Sequence, residues 1–285
     1  YNGVDAQGFA TATGDRAKFG LPADAFLLLF VGDLRTPRKN LGTVLQALKH
    51  LPEHVQIAVA GFLPGSPYPE EAKALGIAHR VHFLGLVKEM PVLMHSVDAF
   101  VFPSRYEAMS LSLLEAMAAG LPVVTARTAG GAEIITPECG IVLDDPDDPN
   151  ALAGAVARLA ENDATRRAMG AAANELATGF GWARMAAQYI ALYRQLAEQQ
   201  KDRKRREIRY GIFQFLRVPS LLIAGFFLYM HWWLLAAIIV GVTFPLPWIA
   251  VVIGNGRGEK KDKREKNVYK PAMNRQLYSQ AHAPQ

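Results

Sequence analysis

The stretch Asp98–Gly120, DAFVFPSRYEAMSLSLLEAMAAG, constrains this chain more than any other. Ala99–Phe102 is a short apolar run suited to a buried strand. Pro103-Ser104-Arg105-Tyr106 breaks it, and a helical apolar pattern runs from Ser110 to Ala119. Gly120 stops that helix, and Leu121–Thr125 begins another strand. A strand that feeds a helix through a short loop and then a further strand belongs to a parallel sheet. Ligands of such sheets bind where strand ends meet helix starts, and the free N–H groups at a helix start favour an anion such as a diphosphate. Two carboxylates fall in this unit, Glu107 in the loop and Glu115 on the helix. Glu115 is followed by Ala-Met-Ala-Ala-Gly, a small, tightly packing stretch. Its carboxylate is therefore expected to lean into a crevice and to need a hydrogen-bond donor there, such as a ribose diol.

The same alternation recurs about six times. Leu27–Val31, Val55–Ala60, Val81–Gly85 and Gly140–Leu143 read as further strands. Helices are expected over Leu41–Leu51, capped by Asn40, over Glu70–Ile77, over Lys88–Val97, and over Ala151–Glu161, capped by Asn150. The pattern predicts a doubly wound α/β parallel sheet. No Gly-x-Gly-x-x-Gly follows the first strand, which argues against a nicotinamide dehydrogenase. Arg35, Arg38 and Lys39 lie between the first strand and its helix, where cations suit a diphosphate leaving group. Gly130-Gly131 allows close backbone approach at a helix start, two residues before Glu133. His79, His82 and His95 lack metal-ligand spacing, and the acidic turn Asp144–Pro149 lacks the glycine and final glutamate of a calcium loop. No metal site is expected.

PSRYEAMSLSLLEAMAAGLPVV resembles the signature of the retaining GT-B glycosyltransferases, the glycogen-synthase-like group 1 or family 4 enzymes. Asn2-Gly-Val-Asp5 resembles the loop by which that family's chain enters its second, donor-binding half. The likeness therefore covers residues 1–195, read as a nucleotide-sugar-binding domain with the Rossmann-like half of a GT-B fold. The family's first half, which supplies the acceptor site, is missing. The chain begins at Tyr1 without a visible signal peptide, and the expectation is a fragment or truncated product whose first half could arrive on another chain.

The resemblance implies a hexosyltransferase that uses a nucleotide-diphosphate sugar as substrate, with retention, no cofactor and no metal requirement. It places Glu107 beside the donor sugar and Glu115 on the nucleotide ribose. Lys39 meets the diphosphate, with either Arg35 or Arg38 as its partner. Met109, Ser110, Leu111, Gly130, Gly131 and Glu133 line the donor, and the backbone of Leu86 and Val87 flanks the base. The acceptor's proton passes to the donor phosphate, so no general base is required. The sequence departs from the family at Ala108-Met109-Ser110, where a Gly-Phe-Gly-type segment is usual, and a Cβ there narrows the approach to the donor. Trp182 and Tyr189 correspond to a closing helix and are expected in the core. The alternative function is a catalytically incomplete module that binds a nucleotide sugar and transfers nothing.

Composition changes near residue 196. Residues 1–195 hold 16 Lys/Arg against 20 Asp/Glu, while residues 196–285 hold 15 against 6. The basic excess is thus a property of the tail, and a nucleic-acid partner is not expected. Residues 196–210 read as a basic juxtamembrane linker. Gly211–Ile253 is 43 residues of almost unbroken apolar sequence, with Arg217 its only charged residue, and fits two transmembrane helices joined by an aromatic turn at Tyr229–Trp233. A second basic run, Arg257–Lys266, lies in a tail, 254–285, that reads as disordered. The two basic flanks place the soluble domain and both termini on the cytoplasmic side of a membrane, with anionic lipid as a partner and a lipid-linked or envelope acceptor. The hairpin resembles small bacterial two-span membrane proteins of unknown role. The single cysteine, Cys139, excludes an intrachain disulfide.

Overall fold

The computed structural model describes residues 2–245 together with 248, 249 and 252. Contacts divide the chain between Ala191 and Leu192.

The first unit is a six-stranded parallel sheet. Its strands are β1 (Phe26–Val31), β2 (Val55–Ala60), β3 (Val81–Gly85), β4 (Ala99–Phe102), β5 (Val123–Ala126) and β6 (Gly140–Leu143), in the spatial order β3-β2-β1-β4-β5-β6. The chain winds outward from β1 to one edge, returns, and winds outward from β4 to the other, so the topological switch lies between β1 and β4. The helices are α1 (Ala6–Ala10), α2 (Leu41–Leu48), α3 (Tyr68–Ala74), α4 (Met90–Met94), α5 (Leu111–Ala118), α6 (Pro149–Glu161) and α7 (Asp163–Ala177).

β1 explains why these strands are continuous apolar runs. Leu28 and Phe30 pack into the core under α2, α3 and α6, whereas Leu27 and Leu29 pack into a second core with α4, α5 and α7. A strand covered on both faces has no polar side to alternate with. Phe30, Phe100 and Phe102 are fully buried, and the Phe102 ring lies 6.4 Å from Phe30 and 5.9 Å from Phe100. Each such side chain contributes about 1.5–3 kcal/mol by leaving water. Gly120 ends α5 with φ 77°, a conformation any other residue adopts only with strain.

Two expected caps are corrected. Asn40 adopts φ 65° and does not cap α2; its amide bridges distant loops instead. Asp148, not Asn150, caps α6, accepting the N–H groups of Asn150 and Ala151. Trp182 and Tyr189, expected in the core, are about half exposed, at 54% and 49%. Trp182 lies in the first turn of α8 (Trp182–Tyr229), and its ring packs on Gly3, where a Cβ would sit 2.7 Å from it.

In the second unit, α8 continues to Tyr229 with Pro219 inside it, and a turn leads to α9 (Trp233–Thr243). Residues 196–210, read above as a linker, are helical. The turn closes through the Trp232 N–H donating to the Phe227 carbonyl (2.9 Å), with the Phe227 and Trp232 rings stacked at 5.7 Å. Among the described residues no helix is long and apolar enough to cross a membrane. The expectation of two spans over 211–253 is corrected to that extent. α9 has 11 residues, a rise of about 16 Å against a hydrocarbon thickness of about 30 Å. The Arg217 side chain, the end of the second expected span, the basic run 257–266 and the tail 254–285 lie outside what is described.

Candidate functional site

The loops leaving β1 and β4 face each other across the switch point, and they bring Arg38, Lys39 and Glu107 together. The Lys39 ammonium is hydrogen-bonded to Glu107 Oε2 and sits 4.8 Å from the centre of the Phe102 ring. Arg38 Nη1 donates to the same oxygen at 3.4 Å and to the Tyr106 carbonyl at 3.3 Å. The Lys39 and Glu107 side chains are each only 15% exposed, so the pair works in a partly desolvated setting where charge interactions are stronger than in water.

Arg35 is directed elsewhere. It holds Asp33 through two side-chain contacts, 2.9 and 2.8 Å, and stacks 4.7 Å over the Phe62 ring. The guanidinium bonds hold the Asp33 carboxyl down to about 2. Of the two arginines that local sequence left open, Arg38 is the one beside Lys39 and Glu107.

The frame behind the cluster was not visible in the sequence. Asn40 Nδ2 donates to the carbonyls of Pro103 (3.0 Å) and Pro146 (2.6 Å), while Asn40 Oδ1 accepts from Thr43. The Arg105 N–H donates to the Arg38 carbonyl, its guanidinium reaches Pro37 O and Asp147, and the Ser104 hydroxyl donates to Arg38 O at 3.1 Å. Thr128 donates to Ser104 O at 2.7 Å. Four loops, those after β1, β4, β5 and β6, are thereby fastened into one surface. The one available signal was polar side chains placed just past strand ends.

Glu115 sits on α5, half buried, and burial pushes its carboxyl above the ordinary 4.5. Among the described residues it has no hydrogen-bond donor or cation as partner. A buried acceptor without a donor is what a ligand hydroxyl would complete.

Gly130 packs so closely on the Glu107 loop that a Cβ would lie 2.0 Å from the Ala108 carbonyl oxygen. Its N–H donates to Glu107 O at 2.8 Å, and Ser110 N–H returns a bond to Gly130 O at 3.2 Å. The close approach expected of the glycine pair is thus made to protein backbone. The Gly131 N–H donates to the Glu133 carboxylate at 2.9 Å, so this pair satisfies itself. Ser110 is buried and caps α5 by accepting the Leu113 N–H, Met109 is half-buried against Gly131, and Leu111 is exposed. On the other side of the β1 loop, Leu86 is 75% exposed and lies with Val87, Gly32, Gly61 and Phe62 around a mostly apolar cavity of about 340 Å³. Among the described residues no group of three or more His, Cys, Asp or Glu could hold a metal ion.

Two families match the chain. The family described as "Glycosyl transferases group 1" matches residues 25–162, and a family described as "Protein of unknown function (DUF3099)" matches residues 196–262. The chain is similar to the D-inositol 3-phosphate glycosyltransferases of Xylanimonas cellulosilytica, 33% identical over 68% of this chain and 48% of that protein, and of Corynebacterium diphtheriae, 33% identical over 62% and 44%. It thus spans about half the length of these curated relatives. Among solved structures it resembles a sucrose-phosphate synthase from Thermosynechococcus elongatus, with a TM-score of 0.62 and 28% identity over 70% of this chain and 52% of the other. It also resembles Anabaena HepE, solved in complex with UDP and glucose, with a TM-score of 0.62 and 25% identity over 68% and 55%. HepE has also been solved with UDP-glucose.

Proposed function

We propose, from the match of residues 25–162 to the group 1 glycosyl transferases, that this chain transfers a hexose from a nucleotide-diphosphate sugar, with retention of configuration, to an acceptor at the cytoplasmic face of a membrane. The reading rests on one observation, the meeting of Arg38, Lys39 and Glu107 at the β1/β4 switch point. The two cations would take the diphosphate as negative charge develops on it, which is where fixed charge lowers a barrier most. Glu107 would face the sugar, and Glu115 would accept a ribose hydroxyl. The base would lie against the cavity walled by Gly61, Phe62, Leu86 and Val87. The bond from the anomeric carbon to the phosphate oxygen breaks, the bond to the acceptor oxygen forms, and the acceptor's proton leaves on the phosphate. UDP bound to HepE supports a diphosphate nucleotide as the ligand class.

Calorimetric titration of the chain with uridine, guanosine and adenosine diphosphates tests this. Saturable binding of one nucleotide, weakened in Glu115→Ala, supports the site. No binding by a folded chain refutes it.

A further inference from the structure

The α8–α9 hairpin is built the wrong way round for water. Where the helices of the second unit are buried, the side chains are small: Ala224 is 2% exposed and Ala236 1%. The large apolar groups face outward instead, with Leu222, Leu234 and Val242 between about two thirds and four fifths exposed. Leu234, Ile238 and Val242 together with Trp233 and Val240 spread over more than half of the circumference of α9, leaving out only the sector that holds the buried Ala236 and Thr243. A helix apolar all round requires an apolar surrounding, and small residues at a helix seam with large ones outside is the arrangement of helices packed in lipid. Exposed Tyr229, Trp232 and Trp233 gather at the tip. Within the same unit, residues 201–209 of α8 carry Lys201, Arg203, Lys204, Arg205, Arg206 and Arg209 against Asp202 and Glu207. That charge complements anionic headgroups and opposes a second copy of the same basic segment.

We infer that the α8–α9 hairpin is a lipid-facing surface that seats the chain in an anionic bilayer, its apolar exterior in acyl chains and its basic turns of α8 at the headgroups. This deepens the membrane location in the proposed function and rests on that part of it alone.

The test is flotation of the full chain with vesicles of phosphatidylcholine, with and without phosphatidylglycerol, alongside calorimetry with uridine diphosphate on the same preparation. The chain should float with the anionic vesicles, and tryptophan emission should be quenched by brominated acyl chains. Leu222→Asp combined with Leu234→Asp, at positions outside the alanine seam, should cut partition by at least about tenfold. Replacing Arg203, Lys204, Arg205 and Arg206 with Gln should remove the preference for phosphatidylglycerol and leave residual binding. A helical chain that stays at the bottom of the gradient overturns the inference, as does self-association unaffected by vesicles, which makes a second copy the occupant. Flotation without nucleotide binding sinks the donor reading and spares this one; nucleotide binding without flotation does the reverse.

Discussion

Lys39 and Glu107 form one ion pair although 68 residues separate them, because the loops they occupy leave neighbouring strands on either side of the switch point. The cation proposed to meet the diphosphate is held by the acid proposed to meet the sugar. Lys39→Ala should therefore act on the reaction more than on the fold. A drop of about 10²–10³ in transfer rate is expected, the scale of losing one electrostatic partner of a transition state. Arg38 still satisfies Glu107, so thermal stability should fall only modestly. Initial rates of nucleotide release and a melting curve check the two halves of this prediction.

Glu115 provides a pH signature. Burial raises its carboxyl above 4.5, so the folded state holds that proton more tightly than the unfolded chain does. Stability should consequently rise as pH falls through the raised value toward 4.5, and that slope should vanish in Glu115→Gln. Nucleotide affinity should run the other way, weakening over the same window as the acceptor is lost. Denaturation and calorimetry at stepped pH would show both; parallel slopes in wild type and variant would rule the assignment out.

Gly130→Ala should separate the loop of Glu107 from the loop after β5. Its Cβ would meet backbone carbonyls at 2.0 and 2.4 Å, with no flexible side chain to move aside. A loss of about 1–3 kcal/mol in stability is expected, as for overpacking. Activity should fall further than stability, since Glu107 is displaced. Urea denaturation and transfer rates measured together would decide this.

Asn40→Ala removes an amide that joins the Pro103 and Pro146 loops and puts a methyl side chain at φ 65°. The left-handed conformation alone costs about 1–2 kcal/mol for such a residue, and stranded carbonyls add about 1–3 kcal/mol. Asn40→Gly keeps the backbone freedom and should recover the first part only. Chemical denaturation midpoints of the two variants separate the contributions.

Much of the sheet was legible because strands covered on both faces must be apolar throughout, and β2, β3, β4 and β6 coincide with apolar runs visible in the sequence. Glu107 and Lys39 were legible through their place after strand ends and through the resemblance their motif carries. What a local pattern does not contain is where a polar side chain finds its partner. Asn40 sits at a helix start and looks like a cap, yet its partners are 63 and 106 residues away. Arg35 and Arg38 are equivalent by position, and only Asp33 beside one and Glu107 beside the other tell them apart. In the hairpin the difference is one of helix length. Hydropathy counts apolar residues, whereas crossing a bilayer also requires an uninterrupted helix, and α9 ends at Thr243.

The ladder at the switch point has its own consequence. β1 is registered to β2 over six residue pairs but to β4 over two, Leu28 with Ala99 and Leu29 with Phe100. Each half of the sheet is wound from consecutive strands, and the halves meet along this short seam, which closes the longest loops and so carries the greatest entropic burden during folding. Lys39 and Glu107 stand on opposite banks of it. A molecule gripping both would act as a suture, so the amides of β1 and β4 should be those whose hydrogen exchange slows most when the site is filled.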